Sequence, residues 1–488
     1  MSAEVGSRRE RTRRRRARAF AGAFALAAAA LAVVGLAGAA VTTVQGPRVT
    51  DVSVDPDAAA TAAGSRVIFT TTQSLAEVDA AQVTVSPATP FTVDTSGRSL
   101  GIRFALPLWD ATDYTVTVAG VTGVGGGTAA TFETSFSTPA LDVFVLERSD
   151  SGDAIVRTGL DGAGAAPVYT DPQIEDFRAT ADHLVVSTMD RDGHSHLVVT
   201  DLDGQNAAEL PLPGEGTVSN LQSADKGNLV GYTFTDADIG TAGARESLLF
   251  TASLAPGQLG ADPTPVARTG GESRVDDWRF VPGTDSILML TFDGALTLVT
   301  PAGSSGEPPA PVALGNAVSI DGIARGSTSA VVERIDGPVA IDLATAQESA
   351  LPPTDPALGQ VNGVTPLPDL TGSADATLPT GGATLRTLAI LDGFTVTSTT
   401  VNVVDAAGSA RPVFRIDPAD TLIETCVSPS GRYAAFLVAP DAVDNPYDAH
   451  QLPLPSRLET RIVALADGAE IGTLSGFDIS WCQTPPRV

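Results

Sequence analysis

An all-β fold class is predicted for this chain: an N-terminal transmembrane helix, an Ig-like β-sandwich, and a seven-bladed β-propeller closed by the C-terminal strand. Three observations predict it. Strand-like runs recur from residue 140 onward at a period built only from strands. Short alternating polar–apolar runs fill residues 46–139 at the density of a two-sheet sandwich. An apolar stretch follows a cluster of arginines at the N-terminus. The composition agrees, with 48 Gly and 34 Pro to turn the chain and only 5% aromatics, so Val, Leu, Ile and Ala must fill the cores.

Residues 1–16 are a basic cytoplasmic segment. Arg8, Arg9, Arg11, Arg13, Arg14, Arg15, Arg16 and Arg18 crowd this end. Residues 17–45 are Ala-rich and apolar, long enough as a helix to cross a hydrocarbon layer of about 30 Å. The flanking arginines keep the N-terminus inside, so everything after Gln45 is expected outside the cell membrane. The stretch is longer than the apolar core of a cleaved signal, which favours an uncleaved signal-anchor. The alternative is secretion after cleavage near Ala39, where Ala37-Gly38-Ala39 supplies a small-residue site. With 30 basic against 57 acidic residues, and the arginines gathered at one end, the body is strongly acidic. Such a body repels phosphate backbones, and no nucleic acid is expected as a partner.

In residues 46–139, strands are expected at residues 48–54, 66–70, 82–85, 101–104, 114–118 and 131–136. Three of these runs carry a resemblance. Val83-Thr84-Val85-Ser86-Pro87, Tyr114-Thr115-Val116-Thr117-Val118 and Phe132-Glu133-Thr134-Ser135-Phe136-Ser137-Thr138 resemble the ordered motifs of SbsA-type bacterial Ig-like domains. The resemblance implies an Ig-like spacer on a surface protein.

Residues 140–488 hold the repeat. Its first strands begin at Ile174, Val218, Val275, Val318, Val361, Ile423 and Phe477; the clearest reads Ile423-Glu424-Thr425-Cys426-Val427-Ser428-Pro429-Ser430-Gly431. Apolar second strands follow six of them, at residues 183–186, 228–231, 286–289, 330–332, 388–391 and 434–437. Asp142-Val143-Phe144-Val145-Leu146 is a second strand with no first, and the copy at Ile479 is a first with no second. Pairing these two closes a ring and removes two exposed edges. Third strands end in Asp-Gly turns, as at Asp203-Gly204 and Asp161-Gly162. Residues 427–431 and 197–204 resemble the TolB-type (WD-repeat-like) propeller repeat. Together the pieces resemble a membrane-anchored envelope protein of actinobacterial style. Residues 351–383, rich in Pro, Gly and Thr, are expected as a long surface loop inside one blade.

Cys426 and Cys482 occupy the same place in two repeats and are the only thiols of an exported chain, so one disulfide is expected. Two buried free thiols are the alternative. Asp190-Arg191-Asp192-Gly193-His194-Ser195-His196 is the best metal candidate, through Asp190, Asp192, His194 and His196. The TolB-type resemblance explains it instead as an Asp-Arg-Asp-Gly turn, and no metal or cofactor is expected. Glu175, Asp176, Asp276, Asp277, Asp321 and Glu424 lie on first strands and are candidates to face the central channel. His183 and His450 are isolated and read as surface positions, and Trp109, Trp278 and Trp481 as packing residues. No Gly-x-Ser-x-Gly elbow, phosphate loop or His-Glu-x-x-His occurs. The expectation is therefore a binding or scaffold protein whose propeller engages an envelope protein partner, not an enzyme. The alternative is a propeller hydrolase or lyase acting on an envelope glycan, lactone or peptide.

Overall fold

The computed structural model describes residues 28–29, 31–32, 46–225, 228–266, 270–301, 309–370, 381–393 and 395–486. The expected signal-anchor, residues 17–45, lies outside them apart from 28, 29, 31 and 32. No helix among the described residues is long and apolar enough to cross a membrane.

The first ninety or so residues from Gly46 build two antiparallel sheets around one core. The strands are β1 (Val49–Ser53), β2 (Arg66–Thr71), β3 (Val83–Ser86), β4 (Phe91–Ser96), β5 (Ser99–Phe104), β6 (Asp113–Val121) and β7 (Ala130–Ser137). One sheet has the order β1-β2-β5-β4 and the other β3-β6-β7. Alternate residues point inward, so Val67 and Phe69 of one sheet meet Val116, Val118 and Phe132 of the other. A short helix, Pro56–Thr61, buries Ala59 and Ala60 at one end of this sandwich. Strand patterning does not reveal it, although Asp55 followed by Pro56 is a start signal: Asp55 accepts the Ala58 N–H at 3.0 Å.

The remaining strands form seven successive antiparallel sheets, each running in chain order, the arrangement of a β-propeller. Blade 1 contains Asp142–Glu147, Asp153–Gly159 and Ala166–Asp171. Blades 2 to 7 are four-stranded and begin with the inner strands Ile174–Ala179, Gly216–Ser223, Val275–Phe280, Ser319–Ile323, Gln360–Pro366 and Thr421–Val427. Apolar side chains fill the seams between blades. The β-branched Val185 and Val199 of blade 2 meet the aromatic Tyr232 and Phe250 of blade 3. Leu385 and Val401 of blade 6 likewise meet Phe436 and Val438 of blade 7.

Two expectations need correction. The segment after Phe477 is not a full closing strand: it reaches blade 1 through the single bridge Leu146–Phe477, with the Ser480 N–H donating to the Phe144 carbonyl at 2.9 Å. Positive φ at Asp478 and the turn at residues 480–481 interrupt the ladder before a strand can form. Residues 351–383 are not one loop either, because Gln360–Pro366 pairs with Thr384–Asp392 as the inner strand of blade 6.

Candidate functional site

Each of the six inner strands carries a register shift against its neighbour, at Ile174/Asp176, Ser219/Gln222, Val275/Asp277, Ile320/Gly322, Val361/Gly363 and Leu422/Glu424. A bulge adds one residue and re-aims the side chains beside it. In five of the six it falls near the start of the strand, at one mouth of the central channel, and in blade 3 it falls further along, between Ser219 and Gln222. Glu175, Asp176, Asp276 and Asp277 come together there around a cavity of about 460 Å³, with Val318 and Ser319 on the wall. Asp321 and Glu424 lie apart from those four, on an adjoining cleft of about 520 Å³ that Arg279, Val396 and Asp417 also line.

Below the bulge, three consecutive blades repeat a device that the sequence reading missed. In blade 2, Arg178 contacts Asp176 at 2.9 Å and donates through Nε to the Leu221 carbonyl of blade 3 at 2.7 Å. In blade 3, Gln222 Nε2 donates to Asn220 at 2.9 Å and to the Trp278 carbonyl of blade 4 at 2.6 Å. In blade 4, Arg279 pairs with Asp277 and donates to the Ile320 carbonyl of blade 5 at 3.1 Å. Each clamp is an acceptor, an apolar residue and a donor in sequence: Asp176-Phe177-Arg178, Asn220-Leu221-Gln222, Asp277-Trp278-Arg279. In blades 2 and 4 this spacing of two places both polar ends on one face of the strand, whereas in blade 3 the bulge itself spans Asn220, which has positive φ. The recurring Asp-x-Arg was the available signal; Gln222 as its neutral stand-in was visible only with the blades superposed.

Arg178 also meets Asp478 at 2.5 Å, so one guanidinium serves two buried carboxylates. Burial pushes the Asp176 carboxyl up, Arg178 opposes this, and the neighbouring Asp478 adds to the rise. Cys426 and Cys482 are joined, with α-carbons 5.3 Å apart, tying blade 7 to the same closing segment. From Cys482 the chain continues along the channel: Thr484 and Pro485 line the cleft beside blade 7, and Pro485 and Pro486 line the acidic cavity.

A loop of blade 7 straps one side of this mouth. His450 is not on the surface as read from the sequence; its side chain is 13% exposed, because the loop folds back over blades 1 and 2. Its Nε2 lies 2.8 Å from Asp153, and Asp448 lies 2.9 Å from Arg148. The Gln451 N–H donates to Glu175 at 3.0 Å. Burial works against the charged imidazole, but the hydrogen bonds to Asp153 and Asp448 outweigh it and push its pKa up to about 9.

The opposite face of the ring holds the sandwich. Arg432 of blade 7 donates to the Asp110 carbonyl at 2.8 Å and lies over the Trp109 ring, while Tyr433 donates to Asp110 at 3.1 Å. Trp278 and Trp481 are buried among apolar side chains. At the expected metal candidate, Asp190 accepts the N–H groups of Asp192 and His194, each at 2.9 Å, as a turn does. His196 sits between Asp190 at 3.3 Å and Glu209 at 2.8 Å. His183 is half-buried beside the Thr180 turn. Among the described residues, the one close group of ligand-type side chains is Glu424 with Cys426 and Cys482, whose sulfurs are bonded to each other.

No protein-family model matches this chain, and no curated protein matches its sequence. Solved structures similar to it include the β-propeller domain of Cps50 (Swd1) from Myceliophteria thermophila, at 12% identity over 62% of this chain and 86% of that one, with a TM-score of 0.38. Another is a putative TolB from Agrobacterium tumefaciens, at 12% identity over 69% of this chain and 89% of that one, TM-score 0.31. A third is the acylaminoacyl peptidase of Pyrococcus horikoshii, at 9% identity over 73% of this chain and 50% of that one, TM-score 0.41.

Proposed function

We propose that this protein is an extracytoplasmic binding protein in which an Ig-like spacer holds a closed seven-bladed propeller that engages a protein partner in the cell envelope. The observation that carries the reading is the division of the ring into two faces. The sandwich occupies one face through Arg432 and Asp110, and the other opens on the acidic mouth. With residues 17–45 in the membrane and the sandwich as spacer, the open face is presented to the envelope. The alternative, a hydrolase or lyase, needs a base at the mouth. His450 beside it is held by Asp153 at 2.8 Å, and the carboxylates Glu175, Asp176, Asp276 and Asp277 are the groups at the mouth that could act as one.

The test is affinity capture from solubilised envelope with the full chain as bait. A stoichiometric protein, competed by untagged chain, supports the reading. An empty capture at micromolar bait overturns it.

A further inference from the structure

The open face is not uniform. The strap of blade 7 covers the side over blades 1 and 2. Over blades 4, 5 and 6 the same end of the ring carries large apolar side chains in the open: Phe292, Val318, Ile335, Val361, Ile390 and Val396. Their places in the fold put them at the same end of three neighbouring blades. Phe292 and Ile335 sit in the turns between second and third strands of blades 4 and 5; Val318 and Val361 sit at the entry of inner strands. Ile390 and Val396 stand on the hairpin formed by Thr384–Asp392 and Thr395–Val404, the longest in the propeller. Ile335 is 94% exposed and Val318 58%, values that a β-turn or a strand entry does not require. Exposed apolar side chains gathered at one end of neighbouring blades and rimmed by polar groups mark an interaction site.

Carboxylates interleave with this arc. Asp276, Asp336, Asp392 and Asp417 are exposed along it, and Asp276 and Asp417 line the two cavities that open inward from it. Arg334 is turned away into an ion pair with Glu348 at 2.8 Å, and Arg274 pairs with Glu272 at 2.9 Å while covering Phe292. Arg415 is exposed on the strand that leads to Asp417, and the other charges at the edges of this apolar surface and at the openings of its clefts are these carboxylates.

We propose that this crescent over blades 4 to 6 is the docking surface, and that its occupant is a protein segment with apolar residues on either side of a Lys or Arg that enters the acidic cleft. Charge complementarity selects the occupant: an anionic lipid surface or a nucleic acid meets like charge here. The channel already accepts a stretch of peptide, since residues 484–486 of this chain lie along it. The proposal rests on the binding-protein reading and adds where the partner sits and what it carries.

The test uses the full chain and two labelled peptides of equal length and leucine content, one with arginines and one with glutamates at the remaining positions. Fluorescence anisotropy is read for the wild type, for Ile390→Asn/Val396→Asn, for Asp276→Asn/Asp417→Asn, and for Val124→Asn on the sandwich. The arginine peptide is expected to bind wild type and the Val124 variant alike, roughly tenfold less tightly to the crescent variant, and several-fold less to the neutralised one. Both crescent substitutions are at exposed positions, and unchanged thermal melts check that they fold. Equal binding to all four proteins, equal binding of both peptides, or none, overturns the proposal. The envelope capture repeated with the crescent variant separates the two readings: a partner kept by both baits removes the crescent and leaves the binding protein standing.

Discussion

Two arcs of the ring solve one mechanical problem differently. Blades 2 to 5 are stitched at every seam by a clamp that each inner strand carries itself, from Arg178, Gln222 and Arg279 to the next strand's backbone. From blade 5 onward the equivalent positions are Ala324, Thr365 and Cys426, and none of these carries a long donor that could reach the next strand. The seam between blades 6 and 7 rests on apolar packing, Leu385 and Val401 against Phe436 and Val438, and the seam from blade 7 to blade 1 is held by parts remote in sequence: the disulfide, the closing segment from Phe477 and the strap around His450. A repeated residue serves a repeated seam. The one seam that joins the two ends of the array needs unique cross-links, because the blades there are not neighbours in the chain.

The largest effect is expected from ending the chain after Ser475. This removes the bridge to Leu146, the Asp478 partner of Arg178 and the disulfide in one step. The loss of several kcal/mol should abolish the cooperative thermal transition of the whole propeller, not only of blade 1. A calorimetric peak within a few degrees of wild type would show that the ring does not depend on its closing segment.

Next comes the clamp itself. Arg178→Ala strands Asp176 and Asp478 as buried carboxylates and should cost about 3–5 kcal/mol. Gln222→Ala leaves only neutral groups unpaired and should cost about 1–3 kcal/mol. Urea unfolding of the two variants measures the difference between a charged and a neutral clamp in the same structural place. Equal losses would mean that the charge of Arg178 contributes nothing beyond its hydrogen bonds.

In the other arc, Cys426→Ser/Cys482→Ser opens a loop whose ends are 56 residues apart, worth about 4 kcal/mol in the chain-entropy description. Reduction with dithiothreitol should lower the melting temperature of wild type to that of the double variant. An unchanged melt in wild type whose two thiols have been shown to be free after reduction would remove the disulfide from the parts holding this arc.

The arcs also differ in how legible they were. The strand positions of nearly every blade stood in the sequence as apolar runs closed by Gly turns, because a sheet buried on both faces needs consecutive apolar residues. The carboxylates of the mouth were legible for the same reason: Glu175, Asp176, Asp276 and Asp277 interrupt otherwise apolar strands. The clamp was half legible, since Asp176-Phe177 and Asp277-Trp278 stand in the repeat and the arginine follows directly. The strap was not legible at all. Nothing local connects His450 to Asp153, 297 residues away, and a lone histidine in a Pro-rich loop has no periodicity to betray burial. The apolar crescent was hidden too, because its residues are scattered over the turns and strand entries of three blades and only the ring brings them together.

The smallest effect isolates the strap. The folded His450 has its pKa raised from 6.5 to about 9, so its contribution is fully present below the unfolded value and is lost as pH rises through about 9. Asp448 does not titrate in that window: burial alone would raise it, but hydrogen bonds from His450 and Arg148 hold its carboxyl well below the usual range. Wild type should therefore lose thermal stability between about pH 7 and pH 10, whereas His450→Gln, which keeps a neutral donor near Asp153, should show a flatter curve. Hydrogen exchange should place the wild-type loss in residues 445–454, because Asp153, Arg148 and Glu175 all meet the loop there. A pH dependence shared equally by wild type and variant would assign the titration elsewhere, and would leave the disulfide and closing segment as the parts that hold the second arc.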